Sequence, residues 1–133
     1  MRVLALDHGS ARCGVAVSDP TGVLATPVGA VERPESRRGL RTVAAIARER
    51  SAGRIVVGLP VSLGGEEGEQ ARRARAFADS LARHVDVPVV MYDERLTTRL
   101  AERTGGAADA DSRAAAHLLE SYLAASPAGA ARA

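Results

Sequence analysis

Three places in this chain put carboxylates where an apolar element ends or begins. Asp7 closes the run Val3-Leu4-Ala5-Leu6, Asp93 and Glu94 close the run Val87 to Tyr92, and Asp111 opens the apolar pattern that reaches Leu123. Ligands of open α/β sheets gather at the carboxyl ends of parallel strands. Asp7 and the Asp93-Glu94 pair would share such an edge, and the start of the last helix could bring Asp111 to the same mouth. Carboxylates that converge repel one another unless a cation sits among them. Oxygen-only donors suit Mg²⁺ or Mn²⁺ and not zinc. Two such ions can clamp a phosphodiester, one orienting and activating water and the other stabilising the departing 3′ oxygen. The chemistry is that of a carboxylate-bound, metal-dependent nuclease. Each residue also has a plainer reading: Asp7 as a turn cap before Gly9, Asp93 or Glu94 as a surface ion pair with Arg95, Asp111 as an N-cap.

Other side chains near these carboxylates could serve a phosphate. Gly9 allows close backbone approach and Ser10 can donate to an anion, although a tight hairpin would also require Gly9. Thr97 and Thr98 could cap a short helix or touch a phosphate. Strand alternation points His8 away from Asp7, which leaves it a substrate contact and a poor ligand. His84 and His117 belong to helices, and Cys13 reads as a small core residue. Arg72, Arg73 and Arg75 lie on one helix and could follow a nucleic-acid backbone, or be a solvated face. Aromatics are 2% of the chain, too few for reading bases by stacking.

The elements that must position these groups follow from pattern. Residues 2–7, 13–18 and 23–31 read as three strands joined by Gly9-Ser10-Ala11-Arg12 and Asp19-Pro20-Thr21-Gly22, an antiparallel meander. A helix opens at Pro34-Glu35-Ser36 and stops at Ser51-Ala52-Gly53. Ile55–Val57 is a fourth strand, 61–68 a mobile loop, 69–84 a helix and 87–92 a fifth strand. A short helix over 97–103 and a flexible connector over 104–110 follow. The last helix, capped by Asp109 or Asp111, ends near 124. Strands four and five follow helices and are apolar on both faces, so right-handed crossovers make them parallel to strand one. The expected fold is α/β, a mixed five-stranded sheet flanked by helices, with one domain over 1–124 and a flexible tail over 125–133.

The bulk composition is compatible with this. The chain has 133 residues, enough for one core without disulfides, and 46% hydrophobic residues. Formal net charge is +2, which permits a nucleic-acid partner without requiring one. All 18 basic residues are Arg, the better bidentate phosphate binder, although total Arg content says nothing about placement. Cys13 stands alone, which excludes an internal disulfide or a cysteine metal site. The N-terminus enters a strand without a signal-peptide pattern, and no apolar run approaches the roughly 18 residues of a membrane span. A soluble, cytoplasmic protein without membrane contact is expected.

The motifs LALDHGSARCGVAVSD (4–19), IVVGLPVSLGGEEG (55–68), VVMYDERLTT (89–98) and DSRAAAHLLESYL (111–123) resemble, in this order, those of the YqgF family, also called RuvX-like. The resemblance covers residues 2–124. It implies an RNase H-like fold and catalytic, metal-binding carboxylates at Asp7, Glu94 and Asp111, with Asp7 between two Mg²⁺ or Mn²⁺ ions. It places Gly58-Leu59-Pro60 at the substrate groove, Arg95, Thr97 and Thr98 in the strand-five motif, and Arg12 at a basic position that could touch a phosphate. The implied activity is trimming the 5′ end of precursor 16S rRNA, on RNA or a ribosomal particle, as monomer or homodimer. Resolution of Holliday junctions, which needs two active sites and hence a dimer, is the alternative nuclease role, with single-stranded or branched DNA as substrate. Binding rRNA as a non-catalytic assembly factor is the alternative outside catalysis. A sugar-kinase or actin-like ATP module shares the Asp-x-Gly pattern but needs two lobes, and the chain has room for one. The connector Thr104–Ala110 is shorter than is usual in the family and uncharged apart from Asp109, either natively or because a segment is missing, so Asp109 rivals Asp111 for the third position.

Overall fold

The apolar runs of the first two strands form the centre of the protein. In a computed structural model that describes residues 1–62, 64–94 and 110–125, five strands build one sheet in the order β3-β2-β1-β4-β5. They are β1 Arg2–His8, β2 Arg12–Ser18, β3 Ala25–Glu32, β4 Ala52–Leu59 and β5 Val89–Asp93. β1, β2 and β3 pair antiparallel; β4 pairs parallel to β1, and β5 parallel to β4. The meander and the two parallel additions are those expected from the sequence.

Helices cover both faces. α1 (Arg37–Glu49) and α2 (Glu69–Ala82) lie on one, α3 (Ala110–Ala125) on the other. Strand alternation sorts the residues between them. Leu4, Leu6, Cys13, Val15, Ile55 and Val57 pack with Leu40, Val43, Phe77 and Leu81. Val3, Ala5, Ala16 and Val56 pack with Ala115, Leu118, Leu119 and Tyr122. Each fully buried Leu or Ile is worth about 1.5–3 kcal/mol, which compensates for the scarcity of aromatics. α1 starts where predicted: Ser36 is its N-cap, and its Oγ accepts from the Gly39 amide at 3.0 Å.

Several boundaries shift from the pattern, α2 ending at Ala82 and β5 running from Val89 to Asp93, and three departures have a visible local cause. β3 begins at Ala25, not 23, because Asp19 holds Val23 and Leu24 in the preceding turn. Its Oδ1 accepts from both amides at 2.8 Å, the Thr21 hydroxyl donates to Oδ2, and Gly22 supplies a φ of 77°. β4 begins at Ala52 because Ser51, at φ 56°, turns the chain out of α1 directly into the strand. The stretch expected as a mobile loop at 61–68 contains a turn closed by a Val61–Glu67 bridge, with Ser62 Oγ accepting from the Glu66 amide at 3.1 Å. The short helix over 97–103, residues 104–109 of the expected connector and the tail beyond 125 lie outside the described residues; Ala110 opens α3, and Ala125 is its last residue. Among the described residues no helix is long and apolar enough to cross a membrane.

The Asp19 cluster makes a stability prediction. Hydrogen bonds from the Thr21 hydroxyl first, then from the Leu24 and Val23 amides, hold the Asp19 carboxyl well below the ordinary carboxylate range. A carboxyl depressed in the folded state stabilises above its unfolded pKa, near 4, and loses that contribution as pH falls through the folded value. Asp19→Ala therefore lowers Tm at pH 7, and the gap to the unmodified protein narrows below about pH 4. Thermal melts of both proteins across pH check this; a gap that stays constant refutes it.

Candidate active site

Asp7 ends the central strand on the face covered by α3. Its cross-strand partner on β2 is Gly14, and directly paired residues share a face. On the other side, Leu6 pairs with Val57 of β4, so Gly58 lies beside Asp7 on that same face. Both glycines are places where another element comes down on the sheet. A Cβ on Gly14 would collide with the Asp111 carbonyl and lie 3.2 Å from the Asp111 Cα. A Cβ on Gly58 would collide with Glu94 Oε2 and lie 3.0 Å from the Glu94 Cγ and Cδ. The first turn of α3 rests on the seat at Gly14, and the Glu94 side chain rests on the seat at Gly58, one on each side of Asp7. Glycine inside a strand marks such close approaches.

Asp93 and Glu94 fall on different faces of the sheet. Asp93 pairs with Leu59 and falls on the α1/α2 face by alternation, whereas Glu94 lies over Gly58 on the face of Asp7. Asp111 is inside the first turn of α3, which starts at Ala110, and is not its N-cap. Its Oδ2 accepts from Arg12 Nε at 2.8 Å. That ion pair joins residues 99 apart in sequence and ties α3 to the start of β2. Two tyrosines anchor the rest of α3. Tyr122 accepts from Arg54 Nη1 at 2.9 Å, and the Tyr92 hydroxyl lies 2.9 Å from Ser121 Oγ.

The electrostatics agree with two carboxylates near β2. Burial first, then the negative charges of Asp7 and Asp111, push the Cys13 thiol up far beyond its ordinary value, so Cys13 is a neutral packing group. The donor set is all oxygen, which fits a hard divalent cation. As they stand, no three acidic, histidine or cysteine side chains among the described residues are grouped closely enough to hold a metal ion. The Arg12 contact occupies one Asp111 oxygen. A cation shared with Asp7 would compete with the guanidinium for it.

The remaining candidates separate. Gly9 donates its amide to the Arg12 carbonyl at 2.8 Å, and a Cβ there would meet that same oxygen at 2.8 Å, so the tight turn requires Gly9. Ser10 is exposed at the tip of this turn. Arg12 is exposed and paired with Asp111. Arg95, Thr97, Thr98 and Asp109 lie outside the described residues.

His8 does not face solvent. Its side chain is 1% exposed, stacks on Phe77 with centroids 4.7 Å apart, and places Nε2 2.9 Å from Glu35 Oε2. Burial lowers its pKa against the opposing pull of Glu35. The sequence indicated the correct direction, away from Asp7, but that direction is the core. Arg72, Arg73 and Arg75 on α2 are each paired, with Glu69, Glu35 and Glu67. The pattern of apolar residues does not disclose the seat at Gly14; a lone glycine in an otherwise apolar strand is the available signal.

Comparison with known proteins supplies the family. A family model described as "RuvX: Holliday junction resolvase" matches residues 1–125. An Anaeromyxobacter sp. protein named "Putative pre-16S rRNA nuclease" is 42% identical over 132 residues, spanning 92% of this chain and 96% of its own. A Thermobifida fusca protein of the same name is 52% identical over 106 residues, 77% of this chain and 65% of its own. Among solved structures, Thermus thermophilus RuvC in complex with a Holliday junction substrate superposes with TM-score 0.63 at 15% identity, covering 97% of this chain and 96% of that one. The fowlpox virus Holliday junction resolvase gives TM-score 0.53 at 11% identity, covering 94% and 99%. At such identities the likeness is one of fold, the mixed five-stranded sheet of RuvC and its RNase H-like relatives. With the model match spanning β1 to the end of α3 and relatives above 40% identity along the same length, the chain belongs to the RuvX family.

Proposed function

We propose that this protein is a metal-dependent nuclease that hydrolyses phosphodiester bonds, and that its substrate is precursor 16S rRNA, trimmed at the 5′ end during ribosome maturation. The observation that carries the reading is the pair of glycine seats, Gly14 and Gly58, that bring Asp111 and Glu94 down on either side of Asp7. The names of the relatives support the RNA substrate.

In this reading Asp7, Glu94 and Asp111 would hold Mg²⁺ or Mn²⁺. When bound, such ions supply positive charge at the scissile phosphate and make water a better nucleophile near neutral pH. The protein's own part is to fix the carboxylates on rigid elements, the end of β1, the end of β5 and the first turn of α3. Arg12 holds Asp111 in place before loading and is then available to a phosphate oxygen. Ser10, exposed at the turn beside Asp7, donates to the strand being cut. Arg95, Thr97 and Thr98 are assigned to substrate contact by their motif alone. Water is the nucleophile, and no covalent intermediate with the protein forms.

A second reading is resolution of four-way DNA junctions. The family description and the fold shared with junction resolvases favour it. The deciding assay cleaves labelled single-stranded RNA, single-stranded DNA and a four-way junction with Mg²⁺, Mn²⁺ or EDTA. Cutting of RNA that EDTA reduces to background is the expected result. Paired symmetric cuts in the junction alone would replace the RNA reading with the second. No cutting of any substrate, with RNA binding intact, would leave a non-catalytic rRNA-binding protein.

A further inference from the structure

Positive charge is concentrated in one short segment. Residues 33–50 carry six arginines, at 33, 37, 38, 41, 48 and 50, against two glutamates. That segment alone is more positive than the whole chain, whose net charge is +2, so the remainder is net negative. All six are exposed, and none forms an ion pair with another described residue. The α2 arginines contrast with them, since Arg72, Arg73 and Arg75 are each neutralised by a glutamate. Of the two acids within the segment, Glu35 is engaged by His8 and Arg73, leaving Glu49 at the far end of the helix.

The arginines are ordered as well as numerous. Arg37, Arg41 and Arg48 stand at i, i+4 and i+11, within about 40° on the helix and about 16 Å along its axis. The row lies on the sheet face opposite Asp7, and the residue that leads into it, Arg33, is tied to the turn beside the candidate site. The Arg33 amide donates to the Ala11 carbonyl at 2.9 Å, in the turn that carries Gly9, Ser10 and Arg12. Arg33 itself is held at φ 48°, with its carbonyl accepting from the Ser36 hydroxyl at 2.7 Å.

We propose that the α1 arginine row is a phosphate track that carries a nucleic-acid strand away from the carboxylate site. The proposal rests on the reading of that site as a nuclease, and adds to it the surface that grips the substrate beyond the scissile bond. A helix with one charged flank and few opposing acids suits the backbone of a nucleic acid, where affinity arises from counterion release and not from base identity.

The test measures binding of the full chain to labelled single-stranded RNA in EDTA, from about 50 to about 200 mM salt. Arg37→Gln/Arg41→Gln/Arg48→Gln is compared with the charge-matched Arg72→Gln/Arg73→Gln/Arg75→Gln, with Tm recorded for each. The α1 variant should lose about 2 from the slope of log K against log salt, at about 0.7 per phosphate contact on a single strand, and bind at least about tenfold more weakly. The α2 variant should keep the slope. An unchanged slope in the folded α1 variant, or an equal loss in both variants, overturns the track. Binding by the unmodified protein without cleavage under Mg²⁺ or Mn²⁺ removes the nuclease reading and leaves the track standing; no binding removes both.

Discussion

Asp7→Asn cuts phosphodiester cleavage by at least about 10³-fold and leaves the protein folded. Asn has the shape of Asp, so the end of β1 keeps its pairing with Gly14 and Tm stays within about 3 °C. What is lost is one negative charge between the two glycine seats. Cation charge at a transferring phosphate is worth several kcal/mol, and each 1.4 kcal/mol is tenfold in rate, which sets the scale at three decades. Asp7→Glu keeps the charge but moves it by one methylene, and should retain a fraction of activity that Asn does not. Single-turnover cleavage of labelled RNA at saturating Mg²⁺ or Mn²⁺ measures both. An Asn variant with more than about a tenth of the normal rate would remove Asp7 from the chemistry. RNA affinity measured in EDTA should change little in either variant, which separates a catalytic loss from a binding loss.

The sequence made much of this site legible, for local reasons. β1 is buried on both faces, so its apolar run and the acid that ends it stand out in any reading. The same holds for α3, whose Ala115, Leu118, Leu119 and Tyr122 recur at helical spacing. The choice of Glu94 over Asp93 needed either the family resemblance or the β4–β5 register, because two adjacent acids differ only in the face they occupy. Contacts between distant residues carried no local signature. Nothing in the chain announces that Arg12 meets Asp111, or that Glu35 joins His8 to Arg73. The arginines of α1 and α2 look alike as text. Arg72 finds its glutamate one turn back on the same helix, but Arg73 and Arg75 are neutralised by Glu35 and Glu67 from outside it, and that is a property of the fold. Val23 and Leu24 read as strand because they are apolar, while the Asp19 carboxylate holds their amides in a turn.

The two glycine seats predict opposite consequences for the same added methyl group. At Gly14 the obstacle is the Asp111 backbone, so Gly14→Ala must push the first turn of α3 off the sheet. Neither partner has a rotamer to yield, and α3 carries one whole face of the core. Overpacking against backbone costs about 3 kcal/mol or more, a fall in Tm of roughly 10 °C for a domain of this size. At Gly58 the obstacle is the far end of the Glu94 side chain, which can swing aside by rotation about its own bonds. Gly58→Ala therefore stays within about 1 kcal/mol of normal stability, yet displaces the carboxylate from beside Asp7. Misplacing a reacting group by about 1 Å can cost 10²-fold, so cleavage should fall by about that factor while Tm holds. Thermal melts and single-turnover cleavage on the two proteins read the difference directly. If Gly58→Ala cleaves normally, Glu94 works from a position other than the one over Gly58. If it melts early, the seat is part of the core packing and its link to the site is incidental. A Gly14→Ala protein that melts normally and stays active would show that α3 docks through its later turns, and that Asp111 reaches the site without resting on β2.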